Sequence, residues 1–190
     1  VIGLICAALG RDRAEPIDDL ARMRMGVRAD REGIRKNDFH ISGKSGYMES
    51  SGNVQIDSVI LSNRHYIADA DYLVGFESDD RKLLEKIDAA LHNPVWPIFL
   101  GRKSFVPSVP VYVQDGIKEQ NLLDALKDYP YKKKKRNDET QKRFIVETED
   151  EIEDTVAIRM VSDNPVSFES RLFLPRNVAL LYYDVEMVED

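Results

Sequence analysis

A chain of 190 residues with 43% hydrophobic and 32% charged side chains is one domain or two small ones with a real core, which excludes wholesale disorder. Its net charge of −7 argues against a non-specific nucleic-acid coat, yet the charge is uneven: residues 1–145 carry 24 basic and 22 acidic side chains, residues 146–190 only 3 and 12. Charge acts locally, so an acidic segment does not forbid a basic face elsewhere.

Val1–Leu9 is apolar almost all round and ends at Gly10, so it reads as a buried helix with a glycine stop. It is too short for the ~20 residues of a bilayer span. Cys6, the one cysteine, lies in this run and is expected to be a buried thiol in a reducing compartment. No charged leader with a cleavage site is visible, so the expected location is cytoplasmic, with no membrane partner. Pro16–Arg24 reads as a short helix with acids at its start and cations at its end. Met23–Ala29 then alternates, with Arg24 and Arg28 on one side: a strand with a basic face.

Asp38–Ile41 is a second short strand, and Ser42–Asn53, rich in Gly and Ser, reads as an exposed, mobile loop. Ile56–Leu61 and Ala70–Phe76 are β-rich, with 62–69 as an excursion between them, which suggests a long hairpin. Asp79–His92 is the clearest helix, with Asp79 as its cap and Asn93-Pro94 as its stop. Val95–Leu100 reads as a strand broken by Pro97, and Lys118–Lys127 as an amphipathic helix. Strands are expected near Arg143–Thr148, Thr155–Val161, Phe168–Leu174 and Val178–Val185. This is an α+β pattern. A β-α-β-β-α-β ferredoxin-like core fits residues 1–100 if one strand precedes Val1.

Gly43-Lys44-Ser45 looks like the end of a phosphate loop, but the pattern requires Gly at position 38, which is Asp38. His40, His65 and His92 lie too far apart for a helical metal pair, so no metal and no cofactor is expected. Lys132–Arg136 is five consecutive cations, a run that is usually a solvated loop and only less often a phosphate contact. Two constellations differ in kind. Asn63-Arg64-His65-Tyr66 gathers a cation, an imidazole and an aromatic ring; Phe99-Leu100-Gly101-Arg102-Lys103-Ser104-Phe105 sets two cations and a hydroxyl after a Gly, bracketed by aromatics. Arg and Lys hold phosphates, Ser adds a donor, and rings stack on unpaired bases. A salt-bridged surface loop remains open for either, but together they point to single-stranded RNA.

Ser62–Ala70 followed by Tyr72-Leu73-Val74 resembles the "R-x-Y-L-x-D-A-x-F-x-V" stretch of the CasD family, and Pro97–Ser104 resembles its "P-x-F-L-G-R-[RK]-S" signature. Met25–Gly33 and Asp38–His40 are similar to that family's earlier strands, Val1–Gly10 to its first helix, and Leu172–Tyr183 to its "L-P-R" strand. The resemblance runs in order from Val1 to about residue 112. These are the type I-E CRISPR Cascade subunits that hold the 5′ end of the guide RNA.

The resemblance implies a modified ferredoxin-like (RRM-like) domain over 1–112, with a projecting thumb hairpin at about 34–62, and a β-rich region over 113–190. It also implies a first strand and a Pro-Thr-x-Ser-Gly segment ahead of Val1, which this sequence does not contain. The implied role is non-catalytic: gripping the crRNA 5′ handle and capping the backbone filament beside the backbone and large subunits, with no small-molecule substrate. The residues expected to touch RNA are Arg28, Lys44, Arg64, Tyr66, Phe99, Arg102, Lys103 and Ser104. The alternative is a metal-independent endoribonuclease that processes precursor crRNA, drawing on His65, Tyr66 and Lys103. That reading weakens if residues 65 and 66 lie on a strand, where neighbours face opposite sides.

Overall fold

The computed structural model describes residues 1–43, 45–56, 58–132, 139–150 and 152–188. Its elements begin with α1 (Ile2–Leu9), α2 (Asp18–Ala21), β1 (Arg24–Arg31), β2 (Ile34–Ser42), β3 (Tyr47–Met48), β4 (Val54–Gln55) and β5 (Ile60–Ala68). They continue with β6 (Asp71–Glu77), α3 (Arg81–His92), α4 (Leu122–Asp128), β7 (Tyr131–Lys132), β8 (Gln141–Glu147), β9 (Ala157–Ser167), β10 (Leu172–Asp184) and β11 (Met187–Val188). The chain divides into two units, Val1–Arg28 with Leu73–Asp190, and Ala29–Tyr72.

The first unit is built on a five-stranded sheet in the order β6-β1-β8-β10-β9, in which β10 runs antiparallel to both β8 and β9. With helices set against a mainly antiparallel sheet, the fold is α+β and ferredoxin-like. Alternation along the strands sends side chains to two cores. On β6, Phe76 joins the cluster of Ile5, Cys6, Leu20, Leu83 and Ile87, where α1 and α3 pack together. Leu73, three positions earlier and so on the other face, packs against Leu122, Leu126, Phe144, Val146, Ala179 and Leu181 beneath α4. Phe144 and Leu181 are fully buried and paired across β8 and β10. Burying each such side chain is worth roughly 1.5–3 kcal/mol.

Glycine decides how closely α4 approaches. A Cβ at Gly26 of β1 would stand 2.7 Å from Leu126 Cδ1, and one at Gly75 of β6 would stand 2.8 Å from Leu122 Cδ1. Two strands therefore lack side chains where the helix lies. Gly10 stops α1 in the left-handed conformation, with φ 73°. The next residue's N–H, at Arg11, returns to Cys6 O at 2.9 Å.

The second unit is a hairpin inserted in the chain between β1 and β6. Strands β2 and β5 pair antiparallel from Ile34↔Ala68 to Ser42↔Ile60. Beyond them, β3 and β4 pair at Tyr47↔Gln55 and Met48↔Val54. At the open end Arg31 Nη1 donates to Asp69 Oδ1 at 2.8 Å, and Tyr72 Oη donates to Glu32 O at 3.1 Å.

Several elements differ from expectation. The cap of α3 is Asp80, whose carboxylate accepts from Leu83 N at 3.0 Å, one residue after Asp79. Residues 62–69, expected as an excursion, lie mostly within β5. Val95–Leu100 is not a strand; Val95 and Trp96 N–H groups donate to Ala8 O and Ala7 O, the last carbonyls of α1. Helix α4 starts at Leu122, behind an Asn121 cap. Strand β10 is one element through Pro175, because residues 172–176 pair only with β9 and a bulge there absorbs the missing N–H.

Candidate nucleic-acid interface

The long connection after α3 places the first group of expected contacts. Its start is pinned to α1 by the Val95 and Trp96 bonds. Residues 99–105 then close a tight turn: Leu100 N donates to Phe105 O at 2.7 Å and Phe105 N to Arg102 O at 2.9 Å. Gly101 sits at φ 85°, where a side chain is strained although the space around it is open. The turn leaves Lys103 and Ser104 exposed and lays the Arg102 guanidinium 5.5 Å from the Phe105 ring centroid. Phe105 thus spends its ring on orienting Arg102, while Phe99 is half-buried. The result is a cation held on a rigid ring, with a second cation and a hydroxyl beside it. That set suits a phosphate oxygen.

The hairpin places the second group on two faces. Register puts Tyr66 opposite Lys36, Arg64 opposite Asp38 and Ser62 opposite His40, all on one face. Asp38 Oδ2 lies 2.9 Å from His40 Nε2, so the Arg64 face mixes cations with a carboxylate. The other face presents Arg35, Asn37, Phe39, Asn63 and His65. His65 and Tyr66 therefore point opposite ways, and they do not meet at one bond. Lys44 lies outside the described residues, as does Lys133–Arg136.

Arg28 requires correction. It is 0% exposed, and its Nη1 donates to Leu126 O at 2.6 Å and to Tyr129 O. The guanidinium closes the C-terminal end of α4, where unpaired carbonyls and the helix dipole favour a cation. It cannot reach RNA from there. Arg24, its partner on the expected basic face, donates to Glu77 at 2.6 Å and to Glu147 O. Glu147 also binds Arg176 at 2.9 Å, which in turn holds Asp163 at 2.7 Å. A ribbon of ion pairs thus crosses the sheet, and it depresses the Asp163 carboxyl below its ordinary range through the Arg176 hydrogen bond.

Among the described residues, no group of three or more His, Cys, Asp or Glu is placed to hold a metal ion. No helix among them is long and apolar enough to cross a membrane.

Comparison with known proteins adds the decisive observation. The family model described as CRISPR-associated protein (Cas_Cas5) matches residues 1–178. The chain belongs to the CRISPR-associated Cas5 family. It is 36% identical, at a TM-score of 0.75, to a chain described as "Crystal structure of Cas protein", covering 97% of this chain and 80% of that one. A second solved structure, "CRISPR RNA-guided surveillance complex", is 26% identical with a TM-score of 0.73, covering 97% and 77%. No curated protein matches.

Within this Cas5 chain, sequence reasoning passed over three features. The Asp38–His40 pair, the Asn37–Asn63 pair and the exposed Phe39 all emerge from the β2/β5 register. Alternation within 36–41 was the available signal, but it names a face only once the partner strand is known. His92, expected at a helix end, has its Nδ1 2.9 Å from Asp88 O and its ring stacked on Tyr112 at 3.8 Å.

Proposed function

We propose that this chain is a non-catalytic, RNA-binding subunit of a CRISPR Cascade surveillance complex, gripping the 5′ handle of the crRNA and capping the backbone filament in antiviral defence. Its partners in that role are the crRNA and the backbone and large subunits. The observation that carries the proposal is the likeness, along nearly the whole chain, to a chain of a structure described as "CRISPR RNA-guided surveillance complex", beside this chain's own Cas5 family match. Supporting it, the 99–105 turn exposes Lys103 and Ser104 beside a half-buried Arg102, and the hairpin exposes Lys36 beside half-buried Arg64 and Tyr66. Favouring binding over cleavage, His65 and Tyr66 occupy opposite faces of β5 and give no converging acid and base.

The test has two readouts. RNA recovered with the purified complex carries one fixed 5′ end. The isolated chain leaves repeat RNA intact with or without divalent metal; site-specific cutting that vanishes in His65→Ala would make the endoribonuclease reading correct instead.

A further inference from the structure

The Arg64 face of the hairpin carries the residues used above, and the opposite face has a character of its own. Along Arg35, Asn37, Phe39 and Ile41, and Leu61, Asn63, His65 and Ile67, there is no carboxylate. All eight side chains are exposed, Phe39 to 57%. Asn37 stands opposite His65, and Phe39 opposite Asn63, so the four form a square. Along one diagonal, Asn37 Nδ2 donates to Asn63 Oδ1 at 3.0 Å. Phe39 and His65 take the other diagonal, along which the backbone positions of an antiparallel pair are roughly 7–8 Å apart.

That separation has a meaning. A flat ring touching another ring on each side needs about 3.5–4 Å per contact, so one planar group fits between Phe39 and His65. Below it lies the amide pair. The bond between them uses one of Asn37's two N–H donors, and an amide can offer both donors and an acceptor to a base edge. Ring walls, an amide floor, Arg35 alongside and no acid suit a planar, polar-edged ring on an anionic chain. They suit an apolar partner protein less, because such a partner would bury the amides without partners of their own.

We propose that Asn37, Phe39, Asn63 and His65 bind one unpaired base of a single-stranded RNA. Phe39 and His65 stack on it, and Asn37 and Asn63 read its edge. This rests on the RNA-binding role above, and it makes the hairpin a sequence-reading element as well as a phosphate grip.

The experiment titrates the full chain with short fluorescent oligoadenylate, oligouridylate and oligocytidylate, with a melting curve for each variant. Phe39→Ala weakens binding of the preferred oligonucleotide by roughly five- to a hundred-fold. Phe39→Leu, which keeps apolar bulk without a ring, is equally weak, and Phe39→Trp restores affinity. The Asn37→Ala, Asn63→Ala double variant brings the three affinities together. Wild-type affinity in a folded Phe39→Leu, with Arg102→Ala still impaired, overturns the base site and leaves the RNA-binding role standing. No binding of any oligonucleotide by the wild type overturns both. Unchanged RNA affinity in Phe39→Leu with loss of the chain from the assembled complex makes this face a protein-docking surface instead.

Discussion

Arg28 on β1 and Arg64 on β5 each sit mid-strand, yet they face different surroundings. Above Arg28 lies α4, let in by Gly26 on the same face and by Gly75 on the neighbouring strand. The cation becomes a helix cap and disappears from the surface. Within the hairpin unit, neither face of β2 and β5 is covered in this way, and the side chains alternate between half-buried and exposed. Arg64 is half-buried there, opposite Asp38, with no helix capping it among the described residues. Alternation identifies which side chains share a face; what lies over that face decides whether its cations hold the fold or a ligand.

The largest way to break that contrast is Arg28→Ala. It removes charge-assisted bonds to two carbonyls, one buried and one part-buried, and the stem that fills the space beneath α4, so stability falls by about 2–4 kcal/mol. Urea unfolding measures the loss, and RNA affinity of the folded fraction is unchanged. Normal stability with lost RNA binding would return Arg28 to the interface. Next comes Gly26→Val, which drives a branched side chain into Leu126 and costs about 1–3 kcal/mol by overpacking. The same change at Gly52, where an added Cβ meets nothing within 4 Å, tests φ alone at 87°.

The smallest effect is a pH dependence in the sheet's ion-pair ribbon. Arg176 holds the folded Asp163 carboxyl below its ordinary value of 3.8. The folded state therefore binds this proton less readily than the unfolded chain. The stabilisation is fully present above the ordinary carboxylate range and is lost as pH falls through the lower folded value. Asp163→Asn is less stable than wild type at neutral pH, and the gap closes in acid. A gap that widened on acidification would contradict the pairing.

Much of the first unit was legible because its signals are local. Helix α3 follows from Leu83 and Ile87 at helical spacing, and α1 from an apolar run ending in Gly10. The residues of 99–105 were legible as cations bracketed by rings, but not their turn, since Val95–Leu100 reads as a strand. What escaped depends on distant pairing. Arg28 looked like surface because α4 lies about a hundred residues on, at Leu122–Asp128. The Asn37–Asn63 bond spans 26 positions, and no window of sequence reveals it before the β2/β5 register is known. Phe168–Leu174 and Val178–Val185 read as two strands, but Pro175 between them is tolerated inside β10 because β8 stops short of it, an edge position set by the sheet.

The most direct test is a titration of handle RNA at two salt concentrations with the Arg64→Ala, Arg102→Ala double variant, run beside a melting curve. Each of these half-buried cations contributes charge-assisted bonds of about 1.5–3 kcal/mol. Affinity therefore drops at least about tenfold, since 1.4 kcal/mol is a factor of ten. The salt slope flattens by about 0.7 for each lost phosphate contact to a single strand. The melting temperature stays near that of the wild type, because neither half-buried arginine lies in the core and substitutions away from core features change stability by about 0.5 kcal/mol each. Unchanged affinity and salt slope in the folded double variant would contradict the assignment of these cations to RNA.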